Sequence, residues 1–298
     1  MLTLVVAGTA CLYYFGSFQL RGKMEHAAIE SIHWTRSQPY MPSPIKSLLH
    51  RAYDAVPHSA GFVVDGGELG RSENAFLAGV PTSRQPIRLL SNHSHLNLFS
   101  EKERQSVCVA FKATGDSMPN VVMPTGYFED PRLPRLRPEA MRLDKWTPYP
   151  LAPPRALAAN FGQVGANEAH LVSNLAPMAE AFATGVWAHL MRELTEAYPK
   201  RFGELWIYVG PLSQSRSSKL ATGIPLPDGF YAIAFDMTDA GGLRAISFLV
   251  PTDAVSKDLE TYITSLATIE QLTGLTFLPE ADYTTRTALS AWQSPRLW

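Results

Sequence analysis

The side chains that could do chemistry are few and scattered through the 298 residues of this chain. His93 and His95 stand two apart, so on a strand both imidazoles would point to one face, as two ligands of one metal ion must. No third ligand is recognisable close by in the sequence, and ordinary exposed strand or turn histidines are expected there. His170 is expected to be packed or hydrogen-bonded, and His189, two residues past Trp187 and off its apolar face, to be solvated. Arg132, Arg135, Arg137, Arg142 and Arg155 form the one locally basic tract, which could meet phosphates. Glu129, Asp130, Glu139 and Asp144 partly balance it, so a solvated loop is the plainer reading. Overall, 26 Lys plus Arg against 27 Asp plus Glu leave a formal charge of −1, and no global field draws the chain to nucleic acid or anionic lipid.

These groups need elements to position them. With 46% hydrophobic and 18% charged residues, the chain can bury a sizeable core. β-prone runs occur at Phe62 to Asp65, Ile87 to Leu90, Ser106 to Lys112, Leu205 to Val209, Phe230 to Phe235 and Ala245 to Val250. Pro177 to Tyr198 carries Phe182, Val186, Trp187, Leu190, Met191 and Leu194 at steps of three and four, which predicts a helix with one apolar face. Trp187 and Met191 are accordingly expected in the core. Further helices are expected over Ser256 to Ser265 and Ile269 to Leu272, the second stopping at Gly274. The stretch Pro119 to Pro154 is too dense in proline for a long helix or a central strand and is expected to be a surface loop.

Leu2 to Leu20 carry no charged side chain, and about 19 residues at 1.5 Å each approach the roughly 30 Å of a bilayer core. Arg21 and Lys23 end the run. An uncleaved single-pass anchor over 1–23 is the expectation; a cleaved signal and a weak lipoprotein box at Cys11 are the alternatives. A linker over 24–60 is expected next, then a folded domain over 61–283 and a tail over 284–298. Cys11 and Cys108 could hardly meet, so cysteine usage leaves the redox compartment open.

One segment carries a more specific pattern: Leu171-Val172-Ser173-Asn174-Leu175-Ala176-Pro177, followed by Gly185-Val186-Trp187. Gly79-Val80-Pro81, Cys108 to Phe111, Asp130 to Pro134, Leu205 to Pro211 and Ile269 to Phe277 flank it in order. Together these blocks resemble the DNA/RNA non-specific endonucleases over roughly Ser72 to Pro279. The resemblance implies an α+β fold, antiparallel sheets flanked by helices, with a ββα-metal (His-Me) finger over about Tyr149 to Ala197. It also implies a strand ending in Asp-Arg-Gly-His and a helix bearing a metal-ligand asparagine. The histidine would take a proton from water; the asparagine would hold hydrated Mg²⁺ against the phosphate.

Neither group is present. Aligned from Tyr149, the four places hold Pro150, Leu151, Ala152 and Pro153; aligned back from Asn160, the histidine place falls on Pro154. Nine residues beyond Asn174, the asparagine place holds Ala183, and eight further on, where the family carries an acid, stands Met191. Asn174 alone is retained. The expectation is therefore a pseudonuclease with no catalytic or metal-ligating set and no cofactor, a membrane-tethered scaffold or binding module. Its extracytoplasmic placement rests on family analogy alone, against the weak vote of Arg21 and Lys23 for a cytoplasmic domain. The alternative is an active Mg²⁺-dependent endonuclease of DNA and RNA whose ligands have moved, with His93, His95 or His170 taking part. Some relatives are homodimers, so that state is admitted too.

Overall fold

The computed structural model describes residues 77–298, apart from 131, 134, 214–216 and 239–240, together with 42, 44 and 45. The apolar run Leu2 to Leu20, nearly all of the linker and the strand expected at Phe62 to Asp65 lie outside these residues. Among the described residues no helix is long and apolar enough to cross a membrane.

Seven antiparallel strands form the main sheet. In chain order they are β2 (Arg88–Ser91), β3 (His95–Ser100), β4 (Gln105–Ala113), β7 (Leu205–Leu212), β8 (Gly229–Met237), β9 (Leu243–Pro251) and β10 (Ile263–Thr264). Their spatial order is β10-β9-β8-β7-β4-β3-β2. The sheet is buried on both faces, which is why the central strands read as nearly continuous apolar runs. Val109 and Phe111 face one core with Ile207, Val209, Ala232 and Ala234. Cys108 and Ala110 face the other with Tyr208, Ile233 and Phe235, the alternation a pleated strand imposes.

The first face is covered by a two-stranded ribbon, β5 (Trp146–Pro150) and β6 (Leu175–Ala179), and the helices around it. Helix α1 (Pro154–Glu168) joins the two strands. After β6 come α2 (Glu180–Thr184), α3 (Val186–Arg192), a π-helical turn (Glu193–Ala197) and α4 (Tyr198–Phe202). Three prolines sit in the ribbon without breaking it. Leu151 donates its N–H to Asn174 O, so hydrogen-bonded pairs recur at Tyr149↔Ala176 and Thr147↔Met178. Pro148, Pro150 and Pro177 fall at the alternate places, where no N–H is needed.

The second face is covered by α5 (Leu266–Thr273), the short pair β1 (Thr82–Ser83) and β11 (Leu275–Thr276), and α6 (Tyr283–Ala291). The α+β expectation holds, and two element boundaries need correction. The helix expected from Pro177 starts at Glu180, because Pro177 to Ala179 pair with β5. The segment Ser256 to Ser265 is not a helix but a 3-10 turn (Leu259–Tyr262) and β10. Ser265 accepts from Thr268 N–H and caps α5, so the helical register begins after it. The boundary at residue 283 falls at the start of α6, whose Leu289 is in the core.

Candidate functional site

The ribbon brings together the positions where the family resemblance puts its chemistry. β5 ends in Leu151 and Ala152, both fully buried, and Pro153 then caps α1 with no side-chain hydrogen bond. Asn174 lies across from this turn and is itself fully buried. Its Oδ1 accepts from Ala152 N–H at 3.0 Å, and its Nδ2 donates to Ala152 O at 3.0 Å and to Ala169 O at 2.8 Å. The carboxamide thus ties the end of β5 to the end of α1, a structural task that needs no metal.

Ala183 on α2 and Met191 on α3 are 8% and 5% exposed. They belong to one apolar core with Leu151, Ala152, Val186 and Leu190. Phe182, Trp187 and Phe230 fill its centre, with ring centroids 5.3 to 5.8 Å apart. α2 and α3 are separate because the chain breaks at Gly185, where a Cβ would press into the Ala181 carbonyl. Magnesium does not fit these residues. Ala183 and Met191 offer it no oxygen, and Trp187 Nε1, buried without a partner, is a donor only. Among the described residues no group of three or more His, Cys, Asp or Glu is placed to hold a metal ion.

The histidines are committed elsewhere. His95, expected as an exposed strand or turn residue, is fully buried at the start of β3. Burial pushes its pKa down to about 4, so the ring is neutral at pH 7. With Asn92 Nδ2 3.1 Å from Nε2, that nitrogen accepts, and Nδ1–H is left to donate to Ser94 Oγ at 3.0 Å. Ser94 Oγ in turn donates to Glu168 Oε2 at 2.7 Å. Glu168 also receives His93 N–H, His93 Nδ1 and Ser94 N–H. Burial alone would raise this carboxyl, but the bonds from His93 and Ser94, with the charge that His95 takes on below about pH 4, outweigh it and hold the pKa at about 2. His93 and His95 therefore do not share a metal-facing side. His170 is buried with Nδ1 2.7 Å from Ala166 O, as a hydrogen-bonded core histidine would be. His189 is half-exposed, 3.8 Å from Glu193.

The arginine tract is divided. Arg132 lies in the interior, its Nε and Nη2 on the two oxygens of Asp130 at 2.9 and 2.7 Å. It donates further to Ser91 O and Asn92 Oδ1, both at 2.7 Å. Burial would raise Asp130, yet Arg132 keeps it below the usual carboxylate range, so a phosphate would have to displace a buried carboxylate to reach this guanidinium. Arg135, Arg137, Arg142 and Arg155 are exposed, with Arg137 3.4 Å from Glu129. Arg155 stands apart on the first turn of α1.

Arg132, Asn92, His95, Asn97 and Glu168 thus form one buried polar network beneath the retained motif. Asn97 Nδ2 and Ser106 Oγ both donate to Ser173 O, at 2.7 and 2.6 Å, and so seat the residue next to Asn174. Sequence reasoning missed this network. The one available signal was that polar His95 and Asn97 alternate with Leu96 and Leu98.

The family model for DNA/RNA non-specific endonucleases matches residues 71–284. A nuclease from Syncephalastrum racemosum is 28% identical over 143 residues, covering 40% of this chain and 43% of the relative. The match thus takes in less than half of that relative's length. A family match across the main sheet, the ribbon and the helices that follow it means that the chain belongs to the DNA/RNA non-specific endonuclease family.

Proposed function

We propose that this chain is a pseudonuclease, a member of the endonuclease family that keeps the fold and has given up phosphodiester hydrolysis. The observation that carries the reading is the burial of Ala183, Met191, Leu151 and Ala152 in one apolar core. Hydrolysis needs a base for the attacking water and a cation for the developing charge, and aliphatic side chains supply neither. The rival, an active Mg²⁺-dependent enzyme with relocated ligands, would need His93, His95 or His170. The hydrogen bonds that hold these rings to Glu168, Ser94, Asn92 and Ala166 weigh against it. The test is cleavage of supercoiled plasmid and RNA by the purified full-length protein in Mg²⁺ or Mn²⁺. No cleavage is expected; metal-dependent cleavage abolished by His93→Ala or His170→Ala would overturn the reading.

The role left to such a protein is that of a scaffold or binding module. The apolar run Leu2 to Leu20 supports tethering it to a membrane. The full-length chain should then resist a carbonate wash, and deletion of Met1 to Leu20 should release it.

A further inference from the structure

Beside the apolar centre lies a cleft of about 200 Å³ that the pseudonuclease reading leaves without a role. Its walls come from the loop after β4, the first turns of α1, the π-helical turn and α4. The loop is held in place along α1: Thr114 Oγ1 donates to Asn160 Oδ1, and Gln163 exchanges two hydrogen bonds with the backbone of Val122. Gly115 brings it against α4, where a Cβ would stand 3.2 Å from Pro199 O. The π-helical turn sets Thr195 and Glu196 on the opposite wall, and such turns recur at functional sites.

Four charged side chains line this space: Asp116 and Glu196, Arg155 and Lys200. Two are negative and two positive, and none of the four is ion-paired with another, although they share one small cleft. Ser117 adds a hydroxyl, and Met118 a short apolar wall. The first turn of α1, at Arg155, has no side-chain cap, which favours an anionic group at that end. A polyanion would gain from Arg155 and Lys200 but would face Asp116 and Glu196. The volume is also below the roughly 300 Å³ at which ordinary ligand sites begin.

We propose that this cleft is a binding site for a small zwitterion, a free amino acid with a short side chain. Its carboxylate sits toward Arg155 and Lys200 and its ammonium toward Asp116 and Glu196. The proposal goes beyond the loss of hydrolysis and gives the binding module a ligand class. Calorimetry on the full-length chain tests it, with L-alanine as the probe, acetate and methylammonium as its separate charged halves, and inorganic phosphate as a pure anion. L-Alanine should bind saturably, each half and phosphate at least about tenfold more weakly. Arg155→Met and Asp116→Asn, both at exposed positions, should each weaken L-alanine by about tenfold without moving the melting temperature. Arg137→Ala, outside the cleft, should change nothing. The proposal is overturned if L-alanine does not bind, if binding survives both cleft substitutions, or if phosphate binds more tightly than L-alanine. None of these results bears on plasmid cleavage, so the pseudonuclease reading stands or falls separately.

Discussion

Asn174 grips Ala152 from both sides, accepting its N–H and donating to its carbonyl, at 3.0 Å each. Ala152 immediately precedes Pro153, where the family resemblance would put the catalytic histidine, so the asparagine fixes the turn at the end of β5. That geometry gives Asn174 a structural task of its own. A buried carboxamide with three backbone partners is part of the fold whether or not a metal is bound.

Asn174→Ala should therefore destabilise the protein by about 2 to 4 kcal/mol, since Ala152 N–H, Ala152 O and Ala169 O would be left buried without partners. Denaturant unfolding checks this. A loss within about 0.5 kcal/mol, the usual range for surface changes, would mean that the carboxamide is not structural.

Arg132→Ala should cost about 3 to 5 kcal/mol, because it strands the buried Asp130 carboxylate. Arg137→Ala, at an exposed residue 3.4 Å from Glu129, should cost less than about 1 kcal/mol. Paired melting curves separate the two. Equal losses would contradict the division of the arginine tract into an interior residue and solvated ones.

Acid should weaken the fold in two steps. His95 has a folded pKa of about 4 against 6.5 for the free group, so the unfolded chain takes the proton first. Stability then falls between pH 6.5 and pH 4, by up to about 3 kcal/mol for this group. Glu168, at about 2 against 4.5, contributes stability above pH 4.5 that is lost as the pH falls through 2. The groups facing His95 are Glu168, Arg132 and Asp130, and His93 shares Glu168. Unfolding free energy measured against pH for the parent and for His95→Gln isolates the first step. The difference between the two should change between pH 6.5 and pH 4; a constant difference would contradict the burial argument.

Much of the sheet was legible in the sequence because burial on both faces makes its central strands nearly uniformly apolar, as in Phe230 to Phe235. β3 was not. His95-Leu96-Asn97-Leu98 reads as a half-exposed strand, but all six residues of β3 are buried, and Asn92, Ser106 and Ser173 cover its polar side. Apart from Asn92, such burial depends on partners 9 and 76 residues from Asn97, which no local pattern announces. The same limit applies to Arg132, whose place in a basic tract says nothing of the carboxylate two residues before it closing on its guanidinium. Pro153, Ala183 and Met191 are picked out only by counting from Asn174 and Tyr149 on the family resemblance. That Ala183 and Met191 share one core follows only from the break at Gly185 and the stacking of Phe182 on Trp187.

The central proposal is that apolar side chains fill the place where the family resemblance puts the catalytic centre. Substituting Pro153→His and Ala183→Asn together tests it most directly, by melting and by Mg²⁺ calorimetry on the same protein. Two polar groups placed in or beside a packed apolar core should lower stability by about 1 to 3 kcal/mol, with no Mg²⁺ binding and no plasmid cleavage. A double variant that melts like the parent and binds Mg²⁺ would contradict the account, because it would mean that the centre had stayed open.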